Sequence, residues 1–269
     1  MAPNDAPLTV ARIALTVNDL DKVADFYAGT IGLTPLRRDG ETALLGAGER
    51  PLIELRRDPA ARQRDPREAG LFHTAFLLLG DADLGRWLRA LAENRTPIQG
   101  ASDHGVSKAV YLADPEGNGI EVYADRAPAD WPRKGDGLAM GTEPLDLPGL
   151  IAGIESRWTG APEGTVIGHV HLQVGALDAA EAFWTGRLGL DVTQHYPGAG
   201  FFSSGGYHHH VGTNVWNSRG APIRADAATG LAEVTLAAAA GHRAKIGVAE
   251  GETLRDPWNI PVTVVAQAA

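Results

Sequence analysis

The chain has 269 residues, of which 33 are acidic and 24 are Lys or Arg, so its formal net charge is −9. An acidic chain without a dense basic run is a poor candidate for binding nucleic acid or an anionic membrane surface. The absence of cysteine excludes disulfides, thiolate metal sites and cysteine nucleophiles, so any metal must be held by His, Asp or Glu. No apolar run approaches the roughly 20 residues that cross a bilayer, and no secretory signal begins the chain. We therefore expect a cytoplasmic protein.

Two parts of the chain repeat one pattern. Val10–Val17 reads VARIALTV and Val166–Val174 reads VIGHVHLQV, and each alternating, β-branched run predicts a strand. A short amphipathic helix follows each run, with an aromatic pair inside it and Gly-Leu at its end, which is typical of a helix C-terminus. Further strands are predicted after each helix, in TALLGAG and PLIELRR of the first copy and in GFFSSGG and HHHVGTNVW of the second.

A second kind of unit begins at Gly70 with GLFHTAFLLL, followed by a helix and by KAVYLADPEGNGIEVYAD. An eroded copy begins at Gly230. The sequence therefore predicts four strand–helix–strands units, at about 8–57, 69–125, 164–217 and 229–267. The Pro-containing stretch 127–163 has no clear periodicity. It is the predicted linker between an N-terminal region, 1–126, and a C-terminal region, 164–269, each with two units.

The pattern of strand, Asp-Leu turn, helix, aromatic pair and Gly-Leu resembles the vicinal oxygen chelate superfamily, which includes glyoxalases, fosfomycin-resistance proteins and extradiol dioxygenases. The segment DPEGNGIE is typical of the whole superfamily. Together with IGHVHLQV and GGYHHHVGTNVW, it resembles bacterial two-domain catechol 2,3-dioxygenases. The resemblance implies an α+β fold in which four tandem βαβββ modules form two half-open mixed β-barrels around a metal.

In such modules the metal ligands lie on the first and last strands and point into the barrel. His73 and His169 lie on the first strands of units two and three, and Glu121 lies where family members have a carboxylate ligand. Two neutral imidazoles and a carboxylate suit non-haem Fe²⁺, with Mn²⁺ as an alternative, and leave positions open for O₂ and a bidentate substrate. A carboxylate that points into an apolar core also needs a cation or another partner.

The predicted triad depends on which units pair. In many relatives units one and two pair, as do units three and four, but here neither pair has a complete triad: Arg12 replaces a histidine in unit one and Glu233 replaces one in unit four. Only pairing of the second unit with the third brings the three ligands together, so we predict that pairing. The alternative is a site wholly in the C-terminal half, built from Glu233, His169 and the HHH run.

The resemblance also implies acid–base residues, because a histidine near neutral pKa can move protons during ring cleavage. Alignment of FFSSGGYHHHV places His209 at the position of such a histidine. If the run is a strand, His208 and His210 face the other way; the alternative is an exposed polar run on an edge strand. His104 and Tyr111, in DHGVSKAVYLADP, match family residues that contact substrate oxygens, although a loop shorter by two residues leaves the role of His104 open.

Three further histidines receive structural predictions only. His171 shares a strand face with His169 because side chains alternate along a strand, so we expect it near the metal without binding it. His195 and His242 lie in loop-like sequence, and we expect both to be solvated.

The resemblance thus implies an Fe²⁺-dependent extradiol dioxygenase that opens a catechol-type aromatic diol with O₂, in the breakdown of aromatic compounds. Two alternatives stay open. A glyoxalase-type isomerase or lyase uses a second carboxylate ligand, for which Glu54 is the matching residue. A non-catalytic protein of the same fold binds a small aromatic compound or drug. No second cofactor is implied, self-association is common in the superfamily, and the ring substituents of the substrate are not determined.

Overall fold

The computed structural model of the protein describes residues 5–135, 137–224 and 228–267. The chain folds into four modules, of which the first three have the order βαβββ and the fourth has the order βαββ among the described residues. Module one consists of β1 (Leu8–Val17), α1 (Leu20–Phe26) with a π-helical turn (Tyr27–Ile31), β2 (Thr34–Arg38), β3 (Thr42–Ala47) and β4 (Arg50–Arg57). Module two consists of β5 (Gly70–Leu77), α2 (Asp81–Glu93), β6 (Gly100–Asp103), β7 (Ser107–Ala113) and β8 (Gly119–Asp125).

The connecting segment contains a 3₁₀ turn (Pro128–Asp130), β9 (Arg133–Lys134), β10 (Gly137–Leu138), β11 (Glu143–Pro144) and α3 (Leu147–Ile151). Module three consists of β12 (Val166–Gln173), α4 (Leu177–Glu181) with a π-helical turn (Ala182–Arg187), β13 (Asp191–Tyr196), β14 (Ala199–Ser203) and β15 (Val211–Asn214). Module four consists of β16 (Gly230–Ala238), α5 (Ala240–Ile246), β17 (Glu252–Arg255) and β18 (Pro261–Ala266). Among the described residues, none of the helices combines the length and the apolar character that crossing a bilayer requires.

The modules form two curled, half-open sheets. Modules one and four form a seven-stranded sheet in the order β17-β18-β16-β1-β4-β3-β2. Modules two and three, with β11 at one edge, form a nine-stranded sheet in the order β11-β6-β7-β8-β5-β12-β15-β14-β13. The pairing of the second module with the third, predicted from the ligand set, is therefore present. Because 1–126 and 164–269 each contribute a module to both sheets, their status as separate domains stays a prediction.

The first strands of the modules make the central contact of each sheet. β5 and β12 run antiparallel with Val170 opposite Thr74 and His171 opposite His73. β1 and β16 run antiparallel in the same way, with Ile13 opposite Val234. β5 and β12 are buried at nearly every position, as expected for strands that are covered on both sides and lie in the middle of a sheet.

The two sheets share one apolar core beneath their helices. The fully buried Trp87 of α2 packs into this core, and its Nε1–H donates to the Thr30 carbonyl of module one at 2.8 Å. The DPEGN turn adds a second link, because the Glu116 carboxylate accepts from the backbone N–H groups of Asn18 at 3.0 Å and Asp19 at 2.7 Å, at the start of α1. These contacts stabilise one sheet against the other.

The described parts of the segment predicted as a linker, 127–135 and 137–163, pack against the modules. β11 extends the nine-stranded sheet by pairing with β6. The Met140 backbone is held twice by the Gln194 side chain, whose Oε1 accepts from Met140 N–H at 2.8 Å and whose Nε2 donates to the Met140 carbonyl at 3.0 Å. Trp131 is buried against Tyr207, with the ring centroids 5.9 Å apart. The segment therefore connects modules two and three across the concave face of their sheet.

Two edge strands and two histidines differ from the sequence predictions. β2 and β13 were not predicted, because edge strands with mainly exposed polar residues carry little hydrophobic alternation. His195 therefore lies on a strand, although its side chain is exposed as expected, with Nε2 2.7 Å from Glu181 Oε2. The prediction for His242 is wrong: α5 buries it against module three, where its Nε2–H donates to the Leu188 carbonyl at 2.9 Å.

The start of β8 requires glycine at position 119. A Cβ atom there would lie 1.9 Å from the Phe72 carbonyl oxygen of β5. We expect Gly119→Ala to destabilise the protein by about 1–3 kcal/mol, since the two strands would have to separate. Urea unfolding measures this change. Gly100→Ala, at a strand position with open space around the added methyl, is the matched control and should be close to neutral; equal stability of the two variants would contradict the close approach.

Candidate metal centre and active site

The three predicted metal ligands converge at the centre of the nine-stranded sheet. Glu121 Oε2 lies 2.9 Å from His73 Nε2 and 3.2 Å from His169 Nε2. The two Nε2 atoms are 3.3 Å apart. All three residues are buried, and in the described parts of the chain they are the group of His, Asp or Glu side chains whose ligand atoms come close enough to share an ion.

The strand order explains why residues so far apart in sequence meet. The antiparallel pairing of β5 with β12 brings His73 and His169 together, although 96 positions separate them. β8 runs parallel to β5 on its other side and places Glu121 beside both rings. Two central strands and one neighbouring strand therefore supply the three ligand atoms, and no loop is needed to hold them.

The electrostatics of the triad match what metal ligands need. Burial by itself would raise the pKa of the Glu121 carboxyl, but the imidazoles of His169 and His73 hold that pKa well below its ordinary range. Burial lowers the pKa of His169 to about 4, in spite of the adjacent carboxylate. Near neutral pH the set is therefore a carboxylate with a neutral His169 ring, and ligands bind metals in these deprotonated forms.

The donor set and its spacing fit a divalent transition metal. Two imidazole nitrogens and one carboxylate oxygen are the ligands of the two-histidine, one-carboxylate facial site of non-haem iron. Ligand atoms about 2.1 Å from a common ion, on one face of an octahedron, lie about 3 Å apart, which agrees with the distances between these atoms. A bound cation would also compensate the buried Glu121 charge, whose protein partners are two imidazoles.

Module two supplies two of the ligands, His73 and Glu121, whereas module three supplies only His169. The strand register shows which residue of module three corresponds to Glu121; we call this place the fourth symmetric position. Glu121 lies on β8 opposite the second residue after His73. The equivalent residue of module three is Gly212, which lies on β15 opposite His171, the second residue after His169. Glycine has no side chain with which to bind a metal. A site with three protein ligands keeps more of the coordination sphere open for exogenous molecules than one with four.

The seven-stranded sheet has ion pairs at the corresponding positions. Arg12 Nη2 lies 3.5 Å from Glu54 Oε2. Arg56 lies between two carboxylates, 2.8 Å from Glu54 Oε1 and 2.8 Å from Glu233 Oε2. In this sheet, guanidinium groups thus provide the positive charge beside the carboxylates. The nine-stranded sheet has a candidate metal site at the corresponding position. Neither Glu54 nor Glu233 is near the triad, which disfavours a site in the C-terminal half.

The histidine run lies in a loop before β15 and not on a strand as predicted, because the Ser204–Gly206 turn delays pairing until Val211. The three rings nevertheless point in different directions. His209 faces the triad, with its ring centroid 4.1 Å from that of His169. His208 turns to Asp125, and His210 accepts from Ser204 N–H at its Nδ1, at 3.2 Å. All three are buried, so the run is not an exposed polar edge.

His104 and Tyr111 form a hydrogen-bonded pair beside the triad. Tyr111 lies opposite Glu121 across β7 and β8. The Gly141 carbonyl lies 2.6 Å from His104 Nδ1 and can only accept, so the neutral ring has its proton there. His104 Nε2 then accepts from the Tyr111 hydroxyl at 2.6 Å. Burial and the Glu121 charge raise the pKa of Tyr111 well above its ordinary value, which keeps the phenol protonated.

A cavity of about 360 Å³ opens over the triad, within the usual size range of small-molecule sites. His209, His171, His104 and Tyr111 supply polar groups to it. Its remaining wall is mainly apolar and aromatic, from Phe72, Val106, Leu112, Ile120, Met140, Tyr196, Phe201 and Trp216. The cavity therefore combines a mainly apolar enclosure with histidine and tyrosine side chains and the candidate metal ligands.

Sequence reasoning missed several residues that shape this site. Met140–Thr142 of the connecting segment line the cavity, but their sequence has no periodicity that predicts it. Phe72 and Trp216 pack edge to face, with their ring centroids 5.4 Å apart, and Phe72 directly precedes the predicted ligand His73. Asp125 lies four residues after Glu121 and therefore on the same face of β8, a spacing that could have identified it.

We predict that removal of any one triad side chain abolishes stoichiometric metal binding, because it removes charge and geometry together. Titration of the metal-free protein with Fe²⁺ or Mn²⁺, followed by metal analysis, measures the effect for His73→Ala, Glu121→Ala and His169→Ala. Glu233→Ala, which removes a half-buried carboxylate from the other sheet, is the control and should keep the metal. A His169→Ala protein with a full complement of metal would contradict this site.

Residues 9–122 and 166–257 match the family model described as Glyoxalase/Bleomycin resistance protein/Dioxygenase superfamily. The chain is 43% identical to the catechol-2,3-dioxygenase of Bacillus subtilis (strain 168) over 229 residues, which are 82% of this chain and 80% of that protein. It is 29% identical to biphenyl-2,3-diol 1,2-dioxygenase 3 of Rhodococcus globerulus over 124 residues, which are 43% of this chain and 63% of that protein.

The solved structures include glyoxalase I from Zea mays, which resembles this protein with a TM-score of 0.59 over 98% of this chain and 94% of that chain. At 17% sequence identity, this likeness concerns the fold alone. The family match extends over both halves of the sequence, and the paired modules have the expected fold. The chain belongs to the glyoxalase/bleomycin resistance protein/dioxygenase superfamily.

Proposed function

We propose that this protein is a non-haem Fe²⁺-dependent extradiol dioxygenase that opens the ring of a catechol-type diol with O₂. The observation that carries the proposal is the buried triad of His73, Glu121 and His169, with Gly212 at the fourth symmetric position. The similarity to a catechol-2,3-dioxygenase along most of both chains supports it, as does the partial similarity to a biphenyl-2,3-diol dioxygenase. Mn²⁺ stays an alternative metal, and a cytoplasmic location and a homo-oligomeric state stay predictions.

Iron bound at the triad would supply the redox chemistry that joins O₂ to the diol, and the protein supplies the proton transfers and the orientation. His209 is placed to accept a proton from a diol hydroxyl, because its ring lies against that of His169 inside the cavity. Burial and four neighbouring histidines lower the pKa of His209 well below its ordinary value, so the ring is neutral and available as a base.

Tyr111 and the aromatic wall orient the substrate in this proposal. The phenol of Tyr111 lies next to Glu121 and keeps its proton, so it can donate to a substrate oxygen held near the triad. His104 accepts from the same phenol in the absence of substrate and fixes its direction. Phe72 and Phe201 line the cavity, and aromatic side chains in a pocket wall favour an aromatic substrate and exclude water.

The geometry does not favour the two alternatives. A glyoxalase-type isomerase needs a second carboxylate ligand, but Glu54 is ion-paired with Arg12 and Arg56 in the other sheet. Gly212 stands at the equivalent position of the nine-stranded sheet. A purely binding protein has no need of His209 beside a metal triad. The presence of glycine instead of a carboxylate at position 212 is therefore the strongest structural argument against an isomerase.

Ring cleavage is tested directly by anaerobic reconstitution with Fe²⁺, followed by catechol in air-saturated buffer. We expect a yellow ring-opened product that contains both oxygen atoms of O₂, measured by absorbance, oxygen uptake and ¹⁸O₂ labelling. The Glu121→Gln protein, treated in the same way, is the control and should yield none. Catechol that binds and is recovered unchanged, in the presence of a full complement of iron, would refute the proposal in favour of a binding protein.

His209 should act in proton transfer and not as a ligand. We expect His209→Asn to keep its iron and to lower kcat by about 10²–10⁴-fold, the usual scale of general acid–base catalysis. Steady-state oxygen uptake and iron analysis on the same sample measure both. The exposed His195 provides the matched substitution, His195→Asn, with unchanged kcat expected. Loss of iron from the His209→Asn protein would show instead that His209 is a fourth ligand.

A further inference from the structure

A chain of hydrogen bonds leads from the end of β8 to His209. His208 Nε2 lies 2.9 Å from Asp125 Oδ1, and His208 Nδ1 lies 2.7 Å from His209 Nδ1. We propose that Asp125 and His208 are positioning residues that hold His209 in one tautomer, with its proton on Nδ1 and an unprotonated Nε2 available to the cavity. The consequence for turnover rests on the proposed dioxygenase function, but the tautomer does not.

The direction of the hydrogen bonds follows from the chemistry of the three groups. An ionised carboxylate can only accept, so His208 has its proton on Nε2 and donates it to Asp125. In a neutral ring the Nδ1 of His208 is then an acceptor, and the short contact to His209 requires that His209 donate from its own Nδ1. A neutral His209 has one N–H group, so its Nε2 is left as a base. Through His208, the Asp125 carboxylate thus determines which nitrogen of His209 is basic.

Packing around the hydrogen-bonded relay of Asp125, His208 and His209 keeps the His208 ring from turning to another orientation. The His208 side chain is fully buried between Tyr207 and Trp131, with ring centroids 4.0 Å and 5.3 Å away, so the ring cannot turn. The second oxygen of Asp125 accepts from the Tyr207 hydroxyl at 2.9 Å and therefore leaves the first oxygen to His208. No protein group hydrogen-bonds His209 Nε2 within residues 5–135, 137–224 and 228–267.

The same strand connects the relay to the candidate metal site. Asp125 and Glu121 lie on one face of β8, four residues apart. Any movement of β8 that displaces the Glu121 ligand would also displace Asp125 and the tautomer-setting contact. This arrangement ties the orientation of the proposed base to the position of the metal ligand.

Nitrogen NMR of the full-length chain labelled with ¹⁵N-histidine tests the tautomer without any reaction. Diamagnetic Zn²⁺ replaces iron, the pH is 8, and the His209 signals are assigned by their loss in His209→Asn. We expect a protonated Nδ1 and an unprotonated Nε2 for His209 in the wild-type protein. A protonated Nε2 would overturn the proposal, because it would mean that His208 donates to His209.

Asp125→Asn tests whether the carboxylate determines the tautomer. An amide can accept or donate, so we expect both His209 tautomers in this variant. Tyr207→Phe removes the other hydrogen bond to the same carboxylate and is the matched control, with the wild-type tautomer expected. An unchanged tautomer in Asp125→Asn would overturn the role of Asp125. If Asp125→Asn does not fold, His208→Phe keeps a planar ring against Trp131 and Tyr207, lacks ring nitrogens and tests the same dependence.

The iron-loaded variants test the consequence for turnover. We expect Asp125→Asn to lower kcat by roughly 10–100-fold, the usual effect of losing a partner that orients a functional histidine. KM for catechol and iron content should stay at wild-type values, and Tyr207→Phe should keep the wild-type kcat. A mixed tautomer with wild-type kcat would overturn the link to turnover. Absence of ring cleavage in the wild-type protein would refute the proposed function and leave the NMR result valid.

Discussion

The antiparallel pairing of β5 with β12 is the interaction on which the candidate active site depends. It joins the first strand of module two to the first strand of module three and places the Nε2 atoms of His73 and His169 3.3 Å apart. β8 is attached to β5 and adds Glu121. β15 is attached to β12, and the loop before it brings His209 against His169. Without this strand pair, the three ligand atoms would not lie close together and the cavity above them would not form.

The two sheets show two solutions to one electrostatic requirement. Both place carboxylates on the concave face of a sheet formed by a pair of modules, and a carboxylate in such a position needs a compensating charge. In the seven-stranded sheet Arg12 and Arg56 provide it, and Glu54 and Glu233 are held in ion pairs. In the nine-stranded sheet, Glu121 has the imidazoles of His73 and His169 beside it, an arrangement that suits a bound metal. The two sheets thus have ion pairs in one case and a candidate metal site in the other.

Residue spacing predicted the parts of this structure that depend on regular periodicity. The four modules and their first strands follow from a repeated, alternating sequence pattern, whereas the pairing of module two with module three was inferred from the ligand set that the family resemblance implies. The histidine run was assigned to a strand because its neighbours alternate, but two glycines and a serine form a turn there that periodicity does not detect. His242 appeared solvated because an Ala-rich helix gives little indication of what it packs against. The contact of His208 with Asp125 joins positions 83 apart, which no local pattern contains.

The central claim is that strands from both halves of the sequence form one metal site. Anomalous X-ray diffraction from crystals grown anaerobically with Fe²⁺, recorded on both sides of the iron absorption edge, tests it most directly. The account predicts an anomalous peak bonded to His73, Glu121 and His169, with further coordination positions that face the cavity. A peak in the seven-stranded sheet near Glu54 and Glu233, or iron bound by His209 in place of one of the three residues, would contradict it.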